Sequence, residues 1–372
     1  MKKLGFGLMR LPLKNKDNAS SVDIELVKNM ADVFIERGFN YFDTAYVYHN
    51  GFSETTLRDA VVKRYPREKL IIADKMPLWC VEKEEDHDKI FAEQLERCGV
   101  EYFDNYMLHN IYLETYQKAE NLKSFEFILK KKQDGFIKKI GFSFHYNAEL
   151  LNRVLIKYPE IDFVQLQINY LDWDNDSIQS RKCYETALRH GKEIIVMEPV
   201  KGGTLADVPH GAEKLFKEYS PSLSVPSWAI RYAASLNGVS TVLSGMSNME
   251  QMLDNTEYMA NFVPLNNSEY SIIKKAADII MSSVAIQCTS CQYCVNFCPV
   301  HIPIPKYFAL YNNKKQVGNL NFYVQDQYYN DYAKTKGKAS DCIECGACER
   351  RCPQMLKIPK LMKDVAMLFE KK

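Results

Sequence analysis

The chain has 372 residues, and its 48 lysines and arginines balance 47 aspartates and glutamates to give a formal net charge of +1. This balance argues against nucleic acid or a charged membrane surface as a partner. No apolar run approaches the roughly 20 residues that span a bilayer, so we expect a cytoplasmic protein without a membrane span. The length predicts one large and one small domain, at residues 1–282 and 283–372.

Short apolar or β-branched runs recur along the first 265 residues, and each predicts a strand. The predicted strands are Leu4–Leu8, Asn40–Asp43, Leu70–Lys75, Asn105–His109, Lys138–Ser143, Phe163–Gln167, Glu193–Met197 and Ser240–Ser244.

Segments with apolar residues at helical spacing lie between these runs. The predicted helices include Val22–Arg37, Glu84–Cys98, Tyr116–Gln133, Ala148–Lys157, Ser177–His190 and Met249–Tyr258. Glycines follow four of them, at Gly38, Gly99, Gly135 and Gly191, and we expect these glycines to end the helices.

Strands that alternate with helices in this way predict an α/β fold, a parallel (β/α)8 TIM barrel. The alternative is an open, doubly wound sheet, which would carry a G-x-G-x-x-G turn after an early strand. Only Gly5-Phe6-Gly7 approaches that motif, and it lacks the third glycine. The barrel is therefore the favoured fold.

Polar side chains stand at the ends of three successive predicted strands, where a barrel places its functional groups. Asp43 ends the second strand and Tyr48 follows it, Lys75 ends the third strand, and His109 ends the fourth. Because the carboxyl ends of all strands meet at one mouth, we expect these four side chains to converge there as catalytic residues.

Their joint chemistry suits the reduction of a carbonyl group. A tyrosine with its usual pKa near 10 is a poor acid, and we expect the Lys75 cation, held by Asp43, to lower the pKa of Tyr48. A neutral His109 would orient the carbonyl oxygen while Tyr48 gives it a proton. His49 and Asp74, the neighbours of these residues, are interpreted as solvated loop residues.

These motifs, YFDTA-x2-Y, IIADKMP and YMLHN, resemble the catalytic tetrad of the aldo-keto reductases over residues 1 to 265. The resemblance implies a small carbonyl substrate and a nicotinamide cofactor, NADPH or NADH, that lies across the barrel mouth without a Rossmann domain.

The resemblance also implies a set of cofactor-binding positions. Ser143 and Gln165 would hold the nicotinamide carboxamide, and Met197 replaces the usual stacking aromatic. Gly245 and Ser247 would form a phosphate loop before a helix, with Gln251 and Asn255 on the adenosine side. Phe144 stands where the family usually has asparagine, and the basic residues that grip a 2′-phosphate are absent, which leaves NADPH and NADH both open.

Aromatic and histidine side chains follow several strand ends and predict an aromatic substrate cleft. They are Tyr46, Trp79, Phe144, His145, Tyr170 and Trp173.

Two cysteine runs near the end of the chain share the pattern C-x2-C-x2-C-x3-C-P, which is typical of [4Fe–4S] ligation. They use eight of the eleven cysteines, namely Cys288, Cys291, Cys294, Cys298, Cys342, Cys345, Cys348 and Cys352. In two-cluster ferredoxins the fourth cysteine of each run ligates the other cluster. We therefore expect two [4Fe–4S] clusters in a ferredoxin-like domain, with Cys352 completing the first set and Cys298 the second.

Zinc ligation and disulfide bonding fit the cysteine runs less well. Zinc sites usually space their cysteines as two separated pairs, and disulfides suit small secreted domains. Clusters and reduced thiols instead indicate a reducing cytosol, shielded from oxygen. Ile302, Ile304 and Ile358 would pack around the clusters, and the polar segment 299–341 between the runs is predicted to be a connector.

Three functions remain open because nicotinamide moves two electrons and a cluster moves one, and no flavin motif is present. In the first, the barrel reduces carbonyl compounds, and the clusters are structural or link it to a redox partner such as a ferredoxin or flavodoxin. In the second, the clusters feed electrons to a substrate or a flavin at the barrel. In the third, the protein is a non-enzymatic electron carrier. The intact set of Asp43, Tyr48, Lys75 and His109 favours the first.

Overall fold

Eight parallel strands within the described residues close into a barrel, in which each strand pairs with the next and β8 pairs with β1. The computed structural model describes residues 2–15, 17–175, 178–282, 284–286, 288, 292, 294–316, 324–352 and 354–370. The strands are β1 Leu4–Gly7, β2 Tyr41–Asp43, β3 Ile71–Pro77, β4 Phe103–Ile111, β5 Ile137–Phe144, β6 Phe163–Gln167, β7 Glu193–Met197 and β8 Val239–Ser244. The predicted barrel is confirmed, and each strand end lies within two residues of its predicted place.

The barrel interior is filled by side chains and is not a pore. Tyr41, Met107, Phe163 and Leu243 belong to one buried cluster inside the strands. Gly141 makes room for Phe163, because a Cβ at position 141 would lie 2.5 Å from the Phe163 ring. The packed interior leaves the carboxyl ends of the strands as the place for chemistry.

Helices surround the barrel and follow most of the strands. They are α1 Ile24–Glu36, α2 Phe52–Leu57, α3 Asp86–Cys98, α4 Leu113–Asn121, α5 Ser124–Gln133, α6 Ala148–Lys157, α7 Ser180–Arg189, α8 His210–Tyr219, α9 Val225–Ser235, α10 Met249–Ala260 and α11 Asn267–Ser282. The four glycines predicted to end helices all have positive φ, which confirms that prediction: Gly38, Gly99, Gly135 and Gly191.

One predicted helix is wrong in extent. The segment Tyr116–Gln133 contains two helices, α4 and α5, because Lys123 between them adopts a left-handed backbone with φ of 52°. The apolar spacing continues across this break, so periodicity alone does not reveal it.

Contacts divide the chain into two compact units, Met1–Ala206 with Glu213–Ala277 and Asp207–Ala212 with Asp278–Lys372. The first unit contains the barrel. Across the part of the chain that the structure describes, no helix combines the length and the apolar character needed to cross a membrane.

The second unit contains the helices α12 Ile304–Gln316, α13 Val324–Thr335 and α14 Ile358–Phe369. The prediction of a connector over 299–341 is therefore wrong for its described residues. Tyr307 and Tyr329 are almost fully buried, with ring centroids 4.4 Å apart, and the Tyr307 hydroxyl donates to the carbonyl of Gly337. The tyrosines that made the segment look polar are thus core residues whose hydroxyl groups find partners.

Candidate active site

Parallel pairing of β2, β3 and β4 brings three of the predicted catalytic residues to one mouth of the barrel. Lys75 is 1% exposed, and its Nζ donates to Asp43 Oδ1 at 2.5 Å and to the carbonyl oxygen of Thr44 at 2.6 Å. The loop after β2 carries Tyr48 back over this pair, so that Nζ of Lys75 lies 4.9 Å from the centroid of its ring. The Tyr48 and His109 rings are 5.9 Å apart and nearly perpendicular.

Burial and neighbouring charges set the protonation of these groups. Burial lowers the pKa of Lys75, but Asp43 and Tyr48 together outweigh it and leave that pKa above its usual value. Burial, joined by the Lys75 charge, holds the pKa of His109 well below its usual range, so the imidazole is neutral at pH 7.

The expected lowering of the Tyr48 pKa is wrong for this site. Burial raises the pKa of Tyr48, and the opposing effect of Lys75 is smaller. The hydroxyl therefore keeps its proton at neutral pH. Lys75 lowers the free-energy cost of losing that proton during the reaction. It does not cause the hydroxyl to lose the proton beforehand.

Buried polar atoms without partners mark where a ligand would bind. Among the described residues, Asp43 Oδ2, His109 Nδ1 and Gln165 Oε1 are buried and lack a hydrogen-bond partner. Gln165 lies beside Ser143 in the pairing of β5 with β6. A carboxamide placed here would donate to the free Gln165 oxygen, so these two residues fit a nicotinamide ring.

The other two nicotinamide positions behave differently. Met197 ends β7 and is half-buried. Phe144 is 3% exposed, and the centroid of its ring lies 6.0 Å from that of Phe142. Its side chain therefore packs in the protein interior.

The loop after β8 leads into α10, and several of its polar groups are bound within the protein. The Ser247 N–H donates to Gln251 Oε1 at 2.7 Å, so Gln251 caps the loop. The Ser247 hydroxyl donates to the carbonyl oxygen of Arg10. The Arg10 side chain crosses Gly245, since a Cβ there would lie 3.1 Å from Arg10 Cδ. Arg10 brings a cation that we did not predict, although its place three residues after β1 was a usable signal.

Asn255 does not face open solvent as an adenosine ligand would. It is 5% exposed, its amide donates to Ser244 Oγ at 2.8 Å, and its oxygen accepts from Tyr258. Its polar atoms are used within the protein.

Some residues of the predicted aromatic cleft lie at the rim of the barrel mouth, and others lie in the protein core. Trp79 is 44% exposed and lies 5.0 Å from the His109 ring, which makes it the best placed of the six to contact a substrate. The Tyr46 hydroxyl is bound to Glu93. Tyr170 and Trp173 pack against aromatic residues of α7, α8 and α9, and Phe144 and His145 line a cavity at the ends of β5 and β6.

The interpretation of His49 as a solvated loop residue is wrong. Its Nε2 accepts from the Leu11 N–H at 3.2 Å, and its Nδ1 lies 2.9 Å from the Ala19 carbonyl oxygen. His49 therefore ties the loop after β1 to the loop that carries Tyr48.

Asp74 is fully buried, so its interpretation as a loop residue is also wrong. It faces out of the barrel towards Glu54 and Cys98, and one ligand atom of each of the three lies within 4.8 Å of the others. Asp74 Oδ1 accepts from the Lys75 N–H at 2.8 Å. Burial, together with the Glu54 charge, raises the pKa of Asp74 well above its usual range, which favours the protonated form of this carboxyl group.

We expect Asp74→Asn to stabilise the protein at alkaline pH. At pH values between the pKa of the Asp74 carboxyl group in the unfolded chain and its higher pKa in the folded protein, folding takes up a proton. The stability of the folded protein therefore decreases as pH rises through this range. Asparagine keeps the uncharged form, and the variant should be more stable by about 1 kcal/mol or more at high pH, with the difference shrinking towards about pH 4.

Thermal unfolding measured across pH checks this expectation. Asp59→Asn is the matched control, because Arg58 lowers the pKa of Asp59 and its neutralisation should be destabilising at neutral pH. An Asp74→Asn variant that is less stable than the wild type at alkaline pH would show that the pair is ionised.

The second unit brings the cysteines of the two runs together around two hollows. Cys288, Cys294 and Cys352 line one of them, and Cys291 lies outside the described residues. The other is lined by cysteines of both runs, namely Cys298, Cys342, Cys345 and Cys348. In each hollow the fourth cysteine of one run therefore lies with described cysteines from the first three of the other run.

The walls of both hollows are apolar, which fits a cluster that is shielded from water. Ile304 and Ile358 line both of them, and Ile302 lines the second. The Ile302 N–H points at Cys298 Sγ at 3.4 Å, a contact that would stabilise charge on the sulfur.

Comparisons with known proteins agree with both units. The Aldo/keto reductase family model matches residues 3–278, and the 4Fe-4S dicluster domain model matches residues 287–356. An uncharacterized oxidoreductase of Bacillus subtilis (strain 168), YqkF, is 25% identical over 285 residues, which cover 68% of this chain and 86% of that protein.

Two further proteins show the same likeness at lower identity. The NADH-specific methylglyoxal reductase of Escherichia coli (strain K12) is 22% identical, over 65% of this chain and 85% of its own length. The crystal structure of an aldo-keto reductase from Klebsiella pneumoniae in complex with NADPH superposes with a TM-score of 0.56 at 15% identity, covering 73% of this chain and 90% of that one. The protein is therefore an oxidoreductase that belongs to the aldo/keto reductase family and carries a 4Fe-4S dicluster domain.

Proposed function

We propose that this protein reduces an aldehyde or ketone with NADPH or NADH, and that Tyr48 is the general acid. The observation that carries the proposal is the buried Lys75–Asp43 ion pair of 2.5 Å directly beneath the Tyr48 ring. A packing role alone does not require a lysine that is 1% exposed and aimed at a phenol.

Each side chain has one task in the reaction. A nicotinamide bound at the mouth would supply the hydride for the carbonyl carbon. Tyr48 donates its hydroxyl proton to the carbonyl oxygen, which gives an alcohol and leaves a phenolate. Lys75 stabilises the phenolate until solvent returns the proton, and Asp43 holds Lys75 in place. Neutral His109 donates an N–H to the same oxygen and shares its developing charge.

Ser143 and Gln165 are proposed to hold the carboxamide, and the loop at Gly245 and Ser247 to receive the phosphates. The relatives bind both forms of the cofactor, since one is named NADH-specific and another was crystallised with NADPH. Arg10 beside Gly245 adds a cation to this edge of the site.

The second unit is proposed to hold two [4Fe–4S] clusters, one on Cys288, Cys291, Cys294 and Cys352 and one on Cys298, Cys342, Cys345 and Cys348. They would work in a reducing cytoplasm and exchange electrons with a redox partner. The lining of the two hollows supports this crossed assignment.

Isotope transfer under anaerobic conditions tests the reductase proposal. NADPH and NADH labelled with deuterium at the transferred position are offered with a panel of aldehydes and ketones. We expect deuterium on the carbinol carbon of the product. Turnover of substrate without deuterium there would contradict hydride transfer.

A second candidate function is delivery of single electrons from the clusters to a substrate or flavin at the barrel. Met197 favours it, because a half-buried thioether stacks on nicotinamide less well than an aromatic ring. Bleaching of the cluster absorption by a substrate of the barrel, without nicotinamide, would support this function. Clusters that stay unchanged during turnover would exclude it.

A further inference from the structure

The second hollow reaches the protein surface, because its lining includes exposed residues as well as buried ones. Cys345 is exposed, and two apolar lining residues are exposed beside it, Ile343 at 62% and Phe297 at 46%. Both side chains line the same hollow, and adjoining exposed apolar side chains, unlike single ones, are typical of contact surfaces. They lie next to the thiol through which an electron would enter a cluster.

Cations surround this opening. The Arg351 guanidinium lies 3.5 Å from the centroid of the Phe297 ring, and Arg350 Nη1 donates to the carbonyl oxygen of Cys345. Both arginines are exposed, as is Lys360 at the start of α14. Within the described residues, none of the three has a carboxylate within 4.0 Å, so their charges face solvent.

The charge along this part of the chain is mixed, since residues 341–364 hold five cations and four carboxylates, a net of +1. Two of the carboxylates, Glu344 and Glu349, are each paired with a lysine, Lys363 and Lys357. Within the described residues the two arginines have no such pair, and they are the charges that contact the rim of the opening.

We propose that this opening is the docking surface for an acidic one-electron carrier protein, of the flavodoxin or ferredoxin type. We call it the Cys345 surface and define it by Phe297, Ile343, Cys345, Arg350 and Arg351. The apolar residues form the dry contact, and the arginines steer the acidic partner, as small transient redox interfaces require. One electron leaves the reduced carrier and enters the cluster that Cys345 ligates, and no proton or bond is exchanged.

This proposal rests on the iron–sulfur part of the proposed function, and stopped-flow mixing tests it. An anaerobic, chemically reduced acidic flavodoxin is mixed with the oxidised holoprotein, and bleaching of the clusters gives the second-order rate constant. The same flavodoxin with its surface carboxylates coupled to ethylenediamine, which makes it basic, serves as the oppositely charged carrier of matched potential. We expect the flavodoxin rate to fall steeply as salt rises from about 50 mM to about 300 mM.

The double variant Arg350→Gln/Arg351→Gln should lower the flavodoxin rate constant about tenfold and flatten its salt dependence. Lys334→Gln/Lys336→Gln, on and just after α13, removes the same charge from the same unit and should change the rate less than twofold. Iron content and visible spectrum establish that both variants keep their clusters.

If the two double variants lower the rate constant equally, the effect comes from net charge alone, and the assignment of the docking site to the Cys345 surface is overturned. A basic carrier that reacts as fast as the acidic one would also overturn it, as would a dimer of the protein that the arginine substitutions dissociate. Absence of clusters in the wild type would defeat both this proposal and the iron–sulfur proposal, whereas clusters that accept electrons equally in every variant would defeat this one alone.

Discussion

Tyr48→Phe should lower kcat for carbonyl reduction by about 10³-fold while leaving cofactor binding within about twofold. Phenylalanine keeps the ring that lies over Lys75 and beside His109, so the geometry of the mouth is retained. It removes only the hydroxyl whose proton neutralises the forming alkoxide. Steady-state kinetics give kcat, and quenching of protein fluorescence by NADPH or NADH gives the cofactor affinity.

Tyr46→Phe is the matched control, because Tyr46 stands in the same loop but its hydroxyl is bound to Glu93. That variant should keep kcat within a few-fold of the wild type. If Tyr48→Phe keeps full activity, the proton comes from elsewhere and the proposed mechanism is wrong. Because burial raises the pKa of Tyr48, the wild-type rate should also stay level across neutral pH and fall only in strongly alkaline solution.

The strand ends were predictable because two independent patterns place them. Alternation of apolar runs with helical segments locates the barrel strands, and the barrel principle then assigns function to their carboxyl ends. Asp43, Lys75 and His109 needed no further information, and the structure brings all three to one mouth. The spacing of the cysteines likewise predicted, without further information, which described cysteines lie together.

The remaining features of the site could not be predicted without the distances between residues that are remote in sequence. The Tyr48 pKa depends on whether burial or the Lys75 charge has the larger effect, and a sequence gives neither burial nor distance. Asp74 looked like a loop residue because its burial comes from Glu54 and Cys98, which are remote in sequence. The tyrosines at 307 and 329 looked polar because their hydroxyl partners come from other segments.

Cys352→Ala should remove the cluster associated with Cys288 and Cys294, and leave the cluster associated with Cys342, Cys345 and Cys348. The reason is the crossed lining of the two hollows, in which Cys352 lies with the first triplet although it belongs to the second run. We expect iron to fall from about eight to about four atoms per chain. Iron analysis and electron paramagnetic resonance of the reduced protein measure the loss and identify the surviving cluster.

Identity of the surviving signal distinguishes crossed ligation from ligation of each cluster by one run. Under crossed ligation, Cys352→Ala and Cys288→Ala leave the same resonance, and Cys298→Ala leaves the other. Under the alternative, Cys352→Ala would match Cys348→Ala instead. Cys80→Ala, which removes an exposed cysteine of the barrel unit, should keep all the iron. A crossed pattern requires both runs to be in place before either cluster is complete, so loss of either run would destabilise the whole unit and not one half of it.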